Sequence, residues 1–343
     1  MLLRLSNNSY VRQYGPYTYI RDRHENADEM FKDAAPFFRH LTREPADEVE
    51  VLERIAREYQ DVDRNELETD FRQLVAPLVE KGLILRGETV TGLNAKEKPD
   101  FSYDDPNPRT ENDNEAVTEE EYKGMPQCVL GNYFREHPTL FDLQLDITQA
   151  CTERCVHCYV PQGQRDFLPY DMAEKTLREF RAMNGLSVHL TGGECMMHPD
   201  FVRICRLCKE LELNIIIFSN LTLCDAKMVD VLREIDPQFI NVSLYAMNAD
   251  THDAITRLPG SWKKTMDAVD RCQQAGVHIR LAAPVLKANQ GEFAALHQFA
   301  KSRRVHLIPS CDIVPMADHC CSNLDHVCSA CELRAVLSTN KGL

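Results

Sequence analysis

The chain has 343 residues, of which 43% are hydrophobic, with a formal net charge of −14 and 14 cysteines. Such a chain can bury a large core, and its length suggests one larger and one smaller domain. The negative charge argues against nonspecific nucleic-acid binding, which needs a clustered basic surface. No stretch reaches membrane-spanning length, and the first ten residues turn polar too soon for a signal peptide. We therefore expect a cytoplasmic protein without nucleic-acid or membrane partners.

Residues 1–90 are predicted to form a small α+β domain of winged-helix proportions. Hydrophobic periodicity predicts short strands over Tyr17–Arg21 and 83–85, and helices over Asp28–Leu41, Asp47–Tyr59 and Arg64–Lys81. A winged helix often binds DNA, but acidic residues crowd positions 47–70. A peptide partner, added as an extra strand at an exposed sheet edge, fits this charge better.

Residues 91–138 are predicted to be an acidic linker. The stretch between Glu88 and Gln127 is rich in Asp, Asn, Pro and Glu, a composition typical of solvated spacers.

From residue 139 to 310, apolar β-rich runs alternate with amphipathic helical runs. The predicted strands are Phe141–Ile147, Ser187–Leu190, Asn214–Phe218, Phe239–Leu244, His278–Ala282 and Val305–Ile308. The predicted helices are Tyr170–Met183, Pro199–Leu211, Asp225–Ile235, Ser261–Ala275 and Glu292–Ser302. This alternation predicts right-handed parallel βαβ units, and six strands make an open partial barrel with its chemistry at the carboxyl ends of the strands.

Three thiols follow the first barrel strand, in the spacing Cys151-x3-Cys155-x2-Cys158. Cytosolic cysteines stay reduced, so clustered ones usually bind metal or do chemistry. A cubane iron–sulfur cluster needs four ligands, so three cysteines would leave one iron open to a non-protein ligand. The alternative is a zinc site with His157 as the fourth ligand.

This spacing after the first strand of a βα repeat resembles the signature of the radical S-adenosylmethionine (SAM) enzymes. The resemblance implies a partial (β/α)6 radical SAM barrel. It implies a [4Fe-4S] cluster on Cys151, Cys155 and Cys158, SAM on the open iron, and Tyr159 beside the cofactor. In the family, an electron reaches the cluster from a reductant such as flavodoxin or ferredoxin. SAM is then split, and the 5′-deoxyadenosyl radical takes a hydrogen atom from the substrate.

Later strand ends resemble the family's SAM-binding motifs. Gly192, Gly193 and Glu194 resemble its Gly-Gly-Glu motif, in which glycines let backbone approach a ligand and the carboxylate accepts from the methionyl amine. Further candidate contacts to SAM are Asn220, Ser243, Arg280 and Asn289. Leu221, Ala246 and Cys195 stand where the family usually has smaller residues or proline. For Arg280 and Asn289, a plain strand-end polar pair is the alternative.

Residues 248–262 resemble a segment of peptide-maturing radical SAM enzymes of the SPASM and twitch type. Members of this group often carry a small leader-recognition element, which residues 1–90 resemble in size and element order. The resemblance implies a precursor peptide as partner, with its leader bound by residues 1–90.

The tail, residues 311–343, is rich in cysteine. Cys320, Cys321, Cys328 and Cys331 are candidate ligands of an auxiliary iron–sulfur cluster, since Cys328-x2-Cys331 has metal-ligand spacing. Family members usually continue for about another hundred residues, so the chain is expected to be truncated or naturally short. Cys205 and Cys208, which share one helix face, are predicted to be buried thiols rather than ligands.

The leading hypothesis is an enzyme that modifies a ribosomally synthesised precursor peptide, by a thioether, a carbon–carbon crosslink or a related change. One alternative is a small-molecule radical SAM enzyme of cofactor or tetrapyrrole maturation. Another is a non-catalytic protein that binds a precursor peptide.

Overall fold

The computed structural model describes residues 1–23, 28–59, 63–97, 101, 103, 125–161, 163 and 165–339. These residues divide into two compact units. The amino-terminal unit contains the described residues of 1–97, 125–140 and 183–186. The barrel unit contains those of 141–182 and 187–339, together with Phe101 and Tyr103.

The amino-terminal unit has six short strands and five helices. The strands are β1 (Leu2–Leu5), β2 (Ser9–Tyr14), β3 (Tyr17–Asp22), β4 (Asp28–Lys32), β5 (Ala46–Asp47) and β6 (Ile84–Gly87). The helices are α1 (Ala35–Arg39), α2 (Glu48–Ala56), α3 (Arg64–Glu80), α4 (Val90–Asn94) and α5 (Pro126–Glu136). They surround two antiparallel sheets with strand orders β5-β1-β6 and β2-β3-β4.

Capping residues and apolar helix faces in the sequence explain where the helices of this unit begin and which side chains form its core. Asp47 caps α2 by accepting a hydrogen bond from Val49 N at 2.9 Å, and Asp63 caps α3 by accepting from Asn65 N at 2.7 Å. The apolar faces of these helices supply a separate hydrophobic core with the first sheet, to which Ile55, Phe71, Leu78 and Ile84 belong. The unit therefore has a core of its own, as an independently folded domain does.

The helix predicted over Asp28–Leu41 is wrong. A strand occupies Asp28–Lys32, Asp33 turns the chain with φ 59°, and α1 starts only at Ala35. Pro36 favours this later start, because proline lacks the N–H that a helix interior uses and fits best in the first turn.

Strands β1 and β2 were not predicted, because buried arginines interrupt their apolar patterns. Arg4 is only 4% exposed and pairs with Glu97 at 2.7 Å, while Arg12 is 2% exposed. A charged residue in a short segment normally indicates that the segment is exposed to solvent. The sequence pattern therefore does not reveal these two buried strands.

The segment predicted to be a linker is partly structured. Helix α4 begins before residue 91, and α5 fills part of the stretch up to 138. Tyr103 packs against the barrel, donating to Val277 O at 2.7 Å and accepting from Ile279 N at 3.0 Å. Phe101 stacks on His278 at 3.8 Å. Residues 98–100, 102 and 104–124 lie outside the described part of the chain.

The barrel unit alternates strands and helices as predicted. Its strands are β7 (Asp142–Thr148), β8 (Ser187–Gly192), β9 (Asn214–Ser219), β10 (Phe239–Ser243), β11 (Ile279–Pro284) and β12 (His306–Ser310). Its helices are α6 (Tyr170–Ala182), α7 (Phe201–Glu210), α8 (Ala226–Ile235), α9 (Ala249–Thr256), α10 (Ser261–Gln274), α11 (Phe293–Ser302) and α12 (Ala330–Thr339). Two 3-10 turns, Cys195–Met197 and Ser322–His326, complete it.

The six strands form one parallel sheet in the order β12-β11-β10-β9-β8-β7. Sequential neighbours therefore pair throughout, and all strands end at the same edge. The predicted fold class, a partial barrel after a small α+β unit, is confirmed. Predicted strand and helix ends differ from those observed by only one or two residues, because buried parallel strands are continuous apolar runs that are easy to recognise.

Two barrel-unit helices, α9 and α12, were not predicted. The hydrophobic core of this unit includes buried Cys205 and Cys208, as predicted for these two thiols. No helix in the described part of the chain is both long and apolar enough to cross a membrane.

Candidate functional site

The three cysteines lie where the sequence predicts, on the loop that follows β7 at the carboxyl edge of the sheet. We call residues 150–159 the cluster loop. Cys155 is buried, Cys158 is half-buried and Cys151 is exposed. The thiols thus run from a buried position to an exposed one, which leaves one side of the loop accessible to a ligand.

The end of β8 packs directly on the start of the cluster loop. Gly193 N donates to Thr148 O at 2.7 Å, and Glu194 N donates to Ala150 O at 2.8 Å. A Cβ on Gly193 would collide with Ala150 O, and one on Gly192, whose φ is +118°, would collide with Thr148 O. The two glycines are thus required by a close approach of protein backbone, whereas the sequence predicts close approach of a ligand.

Helix α9 holds the middle of the cluster loop. Arg154 N donates to Thr256 O and Val156 N to Ile255 O, both at 2.9 Å. The helix ends there because Arg257 adopts the left-handed conformation with φ 53°. The last carbonyl groups of a helix have no hydrogen-bond partner within the helix. Here they accept hydrogen bonds from the backbone of the cluster loop, on either side of Cys155.

The tail holds the far end of the cluster loop through Asn323, which is 2% exposed. Its amide nitrogen donates to Val314 O at 2.8 Å and lies 3.3 Å from Cys158 O and 3.4 Å from His157 O. Ala317 N also donates to Tyr159 O at 2.8 Å. The tail therefore fixes the backbone of the third cysteine.

Electrostatics at the cluster loop favour a bound cation. Desolvation by neighbouring protein atoms raises the pKa of Cys151 to about 12, although this residue is partly exposed. Burial and the nearby carboxylate of Glu153 raise the pKa of Cys155 well above its usual value. Burial also raises the pKa of Cys158. Each thiol feels the charge of its neighbours, so three thiolates could persist here only if metal ions compensated their charge.

A tyrosine supports Cys155 from β10. The hydroxyl of Tyr245 lies 3.8 Å from Cys155 Sγ and is hydrogen-bonded to Ser243, which ends β10. The ring meets His157 edge-on at 4.9 Å and stacks on His252 at 5.4 Å. Ser243 is therefore at the predicted edge of the sheet, and Tyr245 connects it to the cysteine.

Asn220 also lies at the site, as predicted. Its amide nitrogen donates to Thr152 Oγ1 at 3.0 Å and lies 3.8 Å from Cys151 Sγ. Its amide oxygen accepts from Thr222 N at 3.0 Å. These contacts tie the end of β9 to the first cysteine.

Glu194 is fully buried and faces β9, not open space. One oxygen accepts from Ser219 Oγ at 2.8 Å and from Met196 N at 3.1 Å, and the other accepts from Asn220 N at 2.8 Å. Burial raises its pKa, although these hydrogen bonds act in the opposite direction. In this structure the carboxylate joins two strand ends, and its contact with a cofactor amine stays a prediction.

Two further predicted cofactor contacts are not at the open side of the site. Arg280 is the second residue of β11, at the amino edge of the sheet, and its guanidinium covers the Phe239 ring at 3.7 Å. Asn289 is fully buried, and both its amide hydrogens are used, on Tyr245 O and Pro284 O at 2.9 Å. In this structure the Asn289 side chain connects the backbone just after β10 to the end of β11, and both of its amide hydrogens are used in doing so.

Tyr159 closes the cluster loop against β7. Its hydroxyl donates to Asp146 Oδ2 at 3.0 Å, and burial together with this carboxylate raises its pKa. The hydroxyl is thus engaged by the strand in this structure, and the place of Tyr159 beside the cofactor stays a prediction.

The four tail cysteines do not converge. Cys320, Cys321 and Cys331 are exposed, whereas Cys328 is buried. Among the residues that the structure describes, no group of three or more His, Cys, Asp or Glu side chains is arranged to hold a single metal ion. The auxiliary cluster predicted on these cysteines stays a prediction.

The same observation bears on the zinc alternative at the cluster loop. Zinc thiolates must all lie about 2.3 Å from one ion, and the described side chains offer no such arrangement. A cubane spreads its irons over a larger body, so its cysteines need not point at one spot. Three thiols without a fourth protein ligand fit a cluster with an open iron, and Cys151, Cys155 and Cys158 would hold it.

Sequence reasoning missed Glu153, Tyr245 and Asn323. Glu153 could have been noticed as a carboxylate between two ligand cysteines, and it is only 5% exposed. Tyr245 follows a predicted strand end, which marks it as near the site. Asn323 gave no signal, because its contact spans 165 positions in sequence.

Comparison with known proteins identifies the barrel. A family model described as "Radical SAM superfamily" matches residues 145–300. The chain is 28% identical over 162 residues to the AdoMet-dependent heme synthase of Methanosarcina barkeri, covering 46% of each chain. It is 29% identical over 191 residues to a GTP 3′,8-cyclase of Marinobacter nauticus, covering 53% of this chain and 56% of the relative.

A further relative is the antilisterial bacteriocin subtilosin biosynthesis protein AlbA of Bacillus subtilis, 25% identical over 178 residues, with 49% of this chain and 38% of the relative covered. The chain thus spans about half the length of the curated relatives it matches.

Among solved structures, Streptococcus suis SuiB bound to S-adenosylmethionine superposes with a TM-score of 0.60 at 14% identity, over 98% of this chain and 69% of SuiB. SuiB bound to its precursor peptide SuiA gives a TM-score of 0.54 at 15% identity, over 88% and 61%. At these identities the likeness establishes the fold.

The cysteine spacing, the parallel partial barrel and the family match agree with one another. Residues 145–300 match the radical SAM superfamily, whose enzymes use a [4Fe-4S] cluster and S-adenosylmethionine.

Proposed function

We propose that this protein modifies a ribosomally synthesised precursor peptide, with the amino-terminal unit capturing the leader and the radical SAM domain reacting with the core. The observation that carries the proposal is a second compact unit, with its own core and sheet edges, on the same chain as the barrel. A barrel that acted on a small molecule alone would have no need of such a unit.

The amino-terminal unit offers a groove beside an edge strand. In the sheet order β5-β1-β6, the strand β6 lies at an edge and pairs with β1 alone among the strands that the structure describes. A cavity of about 300 Å³ lies next to it, lined by residues of α2, α3 and β6: Glu48, Arg72, Val75, Ala76, Val79 and Arg86. A groove lined by three apolar and three charged residues beside an edge strand suits an extended peptide added as an extra strand.

Two compared proteins support a peptide substrate. SuiB, whose fold covers both units of this chain, has been solved with its precursor peptide, and AlbA is named for bacteriocin biosynthesis. We assign the protein to the SPASM and twitch group on this basis, acting in the cytoplasm with a flavodoxin or ferredoxin as reductant. The product is a thioether, a carbon–carbon crosslink or a related change.

The chain's own residues would prepare the site for this reaction. When bound, a [4Fe-4S] cluster and SAM would supply radical chemistry at this site. Cys151, Cys155 and Cys158 would hold the cluster, while Gly193, α9 and Asn323 fix the backbone between them. A cluster loop held from three sides keeps the reactive group in one geometry, which radical chemistry needs to avoid side reactions.

The second candidate is a small-molecule radical SAM enzyme. It is favoured by the names of two curated relatives, the heme synthase and the GTP cyclase. Both matches cover only about half of each protein. They therefore support the assignment of the barrel more strongly than they support a particular substrate.

Peptide binding separates the two candidates. A fluorescent short peptide encoded beside the gene should bind the full chain and change in mass after anaerobic incubation with SAM and a reductant. Ala76 is exposed and lines the groove, so Ala76→Trp should fill it and weaken peptide binding at least tenfold.

Ala295→Trp, at an exposed position on α11 of the barrel unit, is the matched control and should bind the peptide normally. Equal binding by both variants, or an unchanged peptide mass while SAM is consumed with a small molecule, would contradict the proposal.

A further inference from the structure

Tyr245 lies beside the second ligand cysteine and is only 6% exposed. Its hydroxyl is 3.8 Å from Cys155 Sγ, a separation at which an O–H group can bond to the large sulfur atom. Cys155, Ile255 and Leu286 are buried with it in one small cluster. Water therefore has little access to the hydroxyl, and a buried hydroxyl keeps its hydrogen-bond partners within the protein.

The Tyr245 ring is held in place on both sides. The His157 ring meets it edge-on with the ring centres 4.9 Å apart, and the His252 ring stacks on it at 5.4 Å. The backbone of Tyr245 is fixed as well, because its N–H donates to His252 Nδ1 at 3.2 Å and its carbonyl accepts from Asn289 Nδ2 at 2.9 Å. A donor held in this way is preorganised, so little freedom is lost when it makes its bond.

The direction of this hydrogen bond follows from the state of Cys155. As a thiol, Cys155 can donate to Glu153 Oε2, which lies 3.3 Å from its sulfur. A cysteine that ligates iron is a thiolate and can only accept. The Tyr245 hydroxyl carries a proton at neutral pH and is then the donor. Ser243, which ends β10, is hydrogen-bonded to the same hydroxyl and can donate to its oxygen, since a phenolic oxygen also accepts.

We propose that Tyr245 is a positioning residue, which donates an O–H···S hydrogen bond to the Cys155 thiolate and raises the reduction potential of the cluster on Cys151, Cys155 and Cys158. Hydrogen bonds to the sulfurs are one of the factors that set such potentials. Reduction adds one negative charge, so the sulfur becomes a stronger acceptor and the bond strengthens in the reduced state. The bond therefore makes the cluster easier to reduce, whichever substrate the protein modifies.

The test is a redox titration of the reconstituted full chain without SAM, followed by electron paramagnetic resonance. The signal to follow is the one that Cys155→Ala removes, which assigns it to the cluster loop. Tyr245→Phe keeps the ring and removes only the hydroxyl. At one fixed potential, the ratio of reduced to oxidised cluster should be about tenfold lower in Y245F, because the lost bond is to a charged group. For a one-electron couple this is a midpoint potential lower by about 59 mV.

A fluorinated side chain tests the sign from the other direction. Tyr245→fluorotyrosine, with the fluorine beside the hydroxyl, keeps the O–H group but makes it more acidic and so a stronger donor. The midpoint potential should then rise above that of the wild type. Loss of packing alone would not move the two variants in opposite directions. The fluorotyrosine variant also gives the sign if Y245F does not load iron.

Tyr103→Phe is the matched control in the same unit. The Tyr103 hydroxyl donates to Val277 O at 2.7 Å and accepts from Ile279 N at 3.0 Å, at the amino edge of the sheet. Y103F loses these bonds at the edge opposite the cluster loop and should keep the wild-type midpoint. An unchanged midpoint in Y245F, an equal shift in Y103F, or a midpoint that does not rise with fluorotyrosine would overturn the proposal. Failure of both Tyr245 variants to load iron would overturn it too, by showing that Tyr245 serves the loop itself.

Discussion

Glu194 Oε2 accepts a 2.8 Å hydrogen bond from the backbone N–H of Asn220, which joins the carboxyl end of β8 to that of β9. The other oxygen accepts from Ser219 and Met196, so three donors depend on one buried carboxylate. Glu194→Ala leaves them buried without acceptors, and we expect the free energy of unfolding to fall by about 3 kcal/mol. Urea denaturation measures this; Glu179→Ala, an exposed position, should not move the midpoint. An unshifted midpoint for E194A would show that the bonds are not made.

Cluster retention should depend on the absence of a side chain at Gly193. Gly193→Ala places a Cβ against the carbonyl of Ala150, directly before the first cysteine. The cluster loop must then move away from β8, so we expect iron content after reconstitution to drop to half or less. Gly291→Ala is the matched control, because a Cβ there meets nothing within 4 Å. Equal iron in the two variants would contradict the close packing described here.

The tail should be needed to hold the third cysteine. Asn323→Ala removes the donor to Val314, Cys158 and His157. We expect slower cluster assembly and broader electron paramagnetic resonance signals of the reduced cluster, because the Cys158 backbone gains freedom. Asn132→Ala, at an exposed position on α5, is the control. A sharp, wild-type spectrum in N323A would exclude this role for the tail.

Stability should fall in mild acid because of His252. Burial lowers the pKa of this fully buried histidine to about 4, and its ring accepts from Tyr245 N at 3.2 Å. An unfolded histidine titrates near pH 6.5, so between these values the unfolded chain binds the extra proton. Stability from this group is complete above about pH 6.5 and is lost as the pH falls toward 4.

The loss should approach about 3 kcal/mol at the acid end. Urea midpoints of the apo protein between pH 7 and 4.5 measure it. His252→Asn, whose amide oxygen can replace the ring acceptor, should show a flatter pH profile. Parallel profiles for the two proteins would assign the acid sensitivity to other groups.

The barrel was predictable from sequence, and much of the side-chain arrangement at its edge was not. A run such as Asn214–Ser219 is apolar throughout because both its faces are covered, which makes its strand easy to find. The direction of a buried side chain cannot be predicted in the same way. The residues next to Glu194 in the sequence do not show whether its carboxylate faces a cofactor or Asn220. The register of Arg280 within β11 also decides its position, near the amino end of that strand.

The amino-terminal unit was less predictable for a related reason. Its short strands carry Arg4 and Arg12 inward, and these charges are accepted only because tertiary partners such as Glu97 surround them. Hydrophobic periodicity describes residues at fixed spacing along the sequence, so it cannot predict contacts between residues that are far apart in the chain. The contact of Asn323 with the cluster loop escaped prediction for the same reason.

The central claim is that the loop of Cys151, Cys155 and Cys158 holds a redox-active cluster that cleaves SAM. Chromatography with mass detection should find 5′-deoxyadenosine after anaerobic reconstitution with iron and sulfide and reduction in the presence of SAM. Cys155→Ala should abolish this product, whereas Cys128→Ala, in α5 of the amino-terminal unit, should form it at the wild-type rate. Absence of 5′-deoxyadenosine from iron-loaded wild-type protein, or its undiminished formation by C155A, would contradict the account.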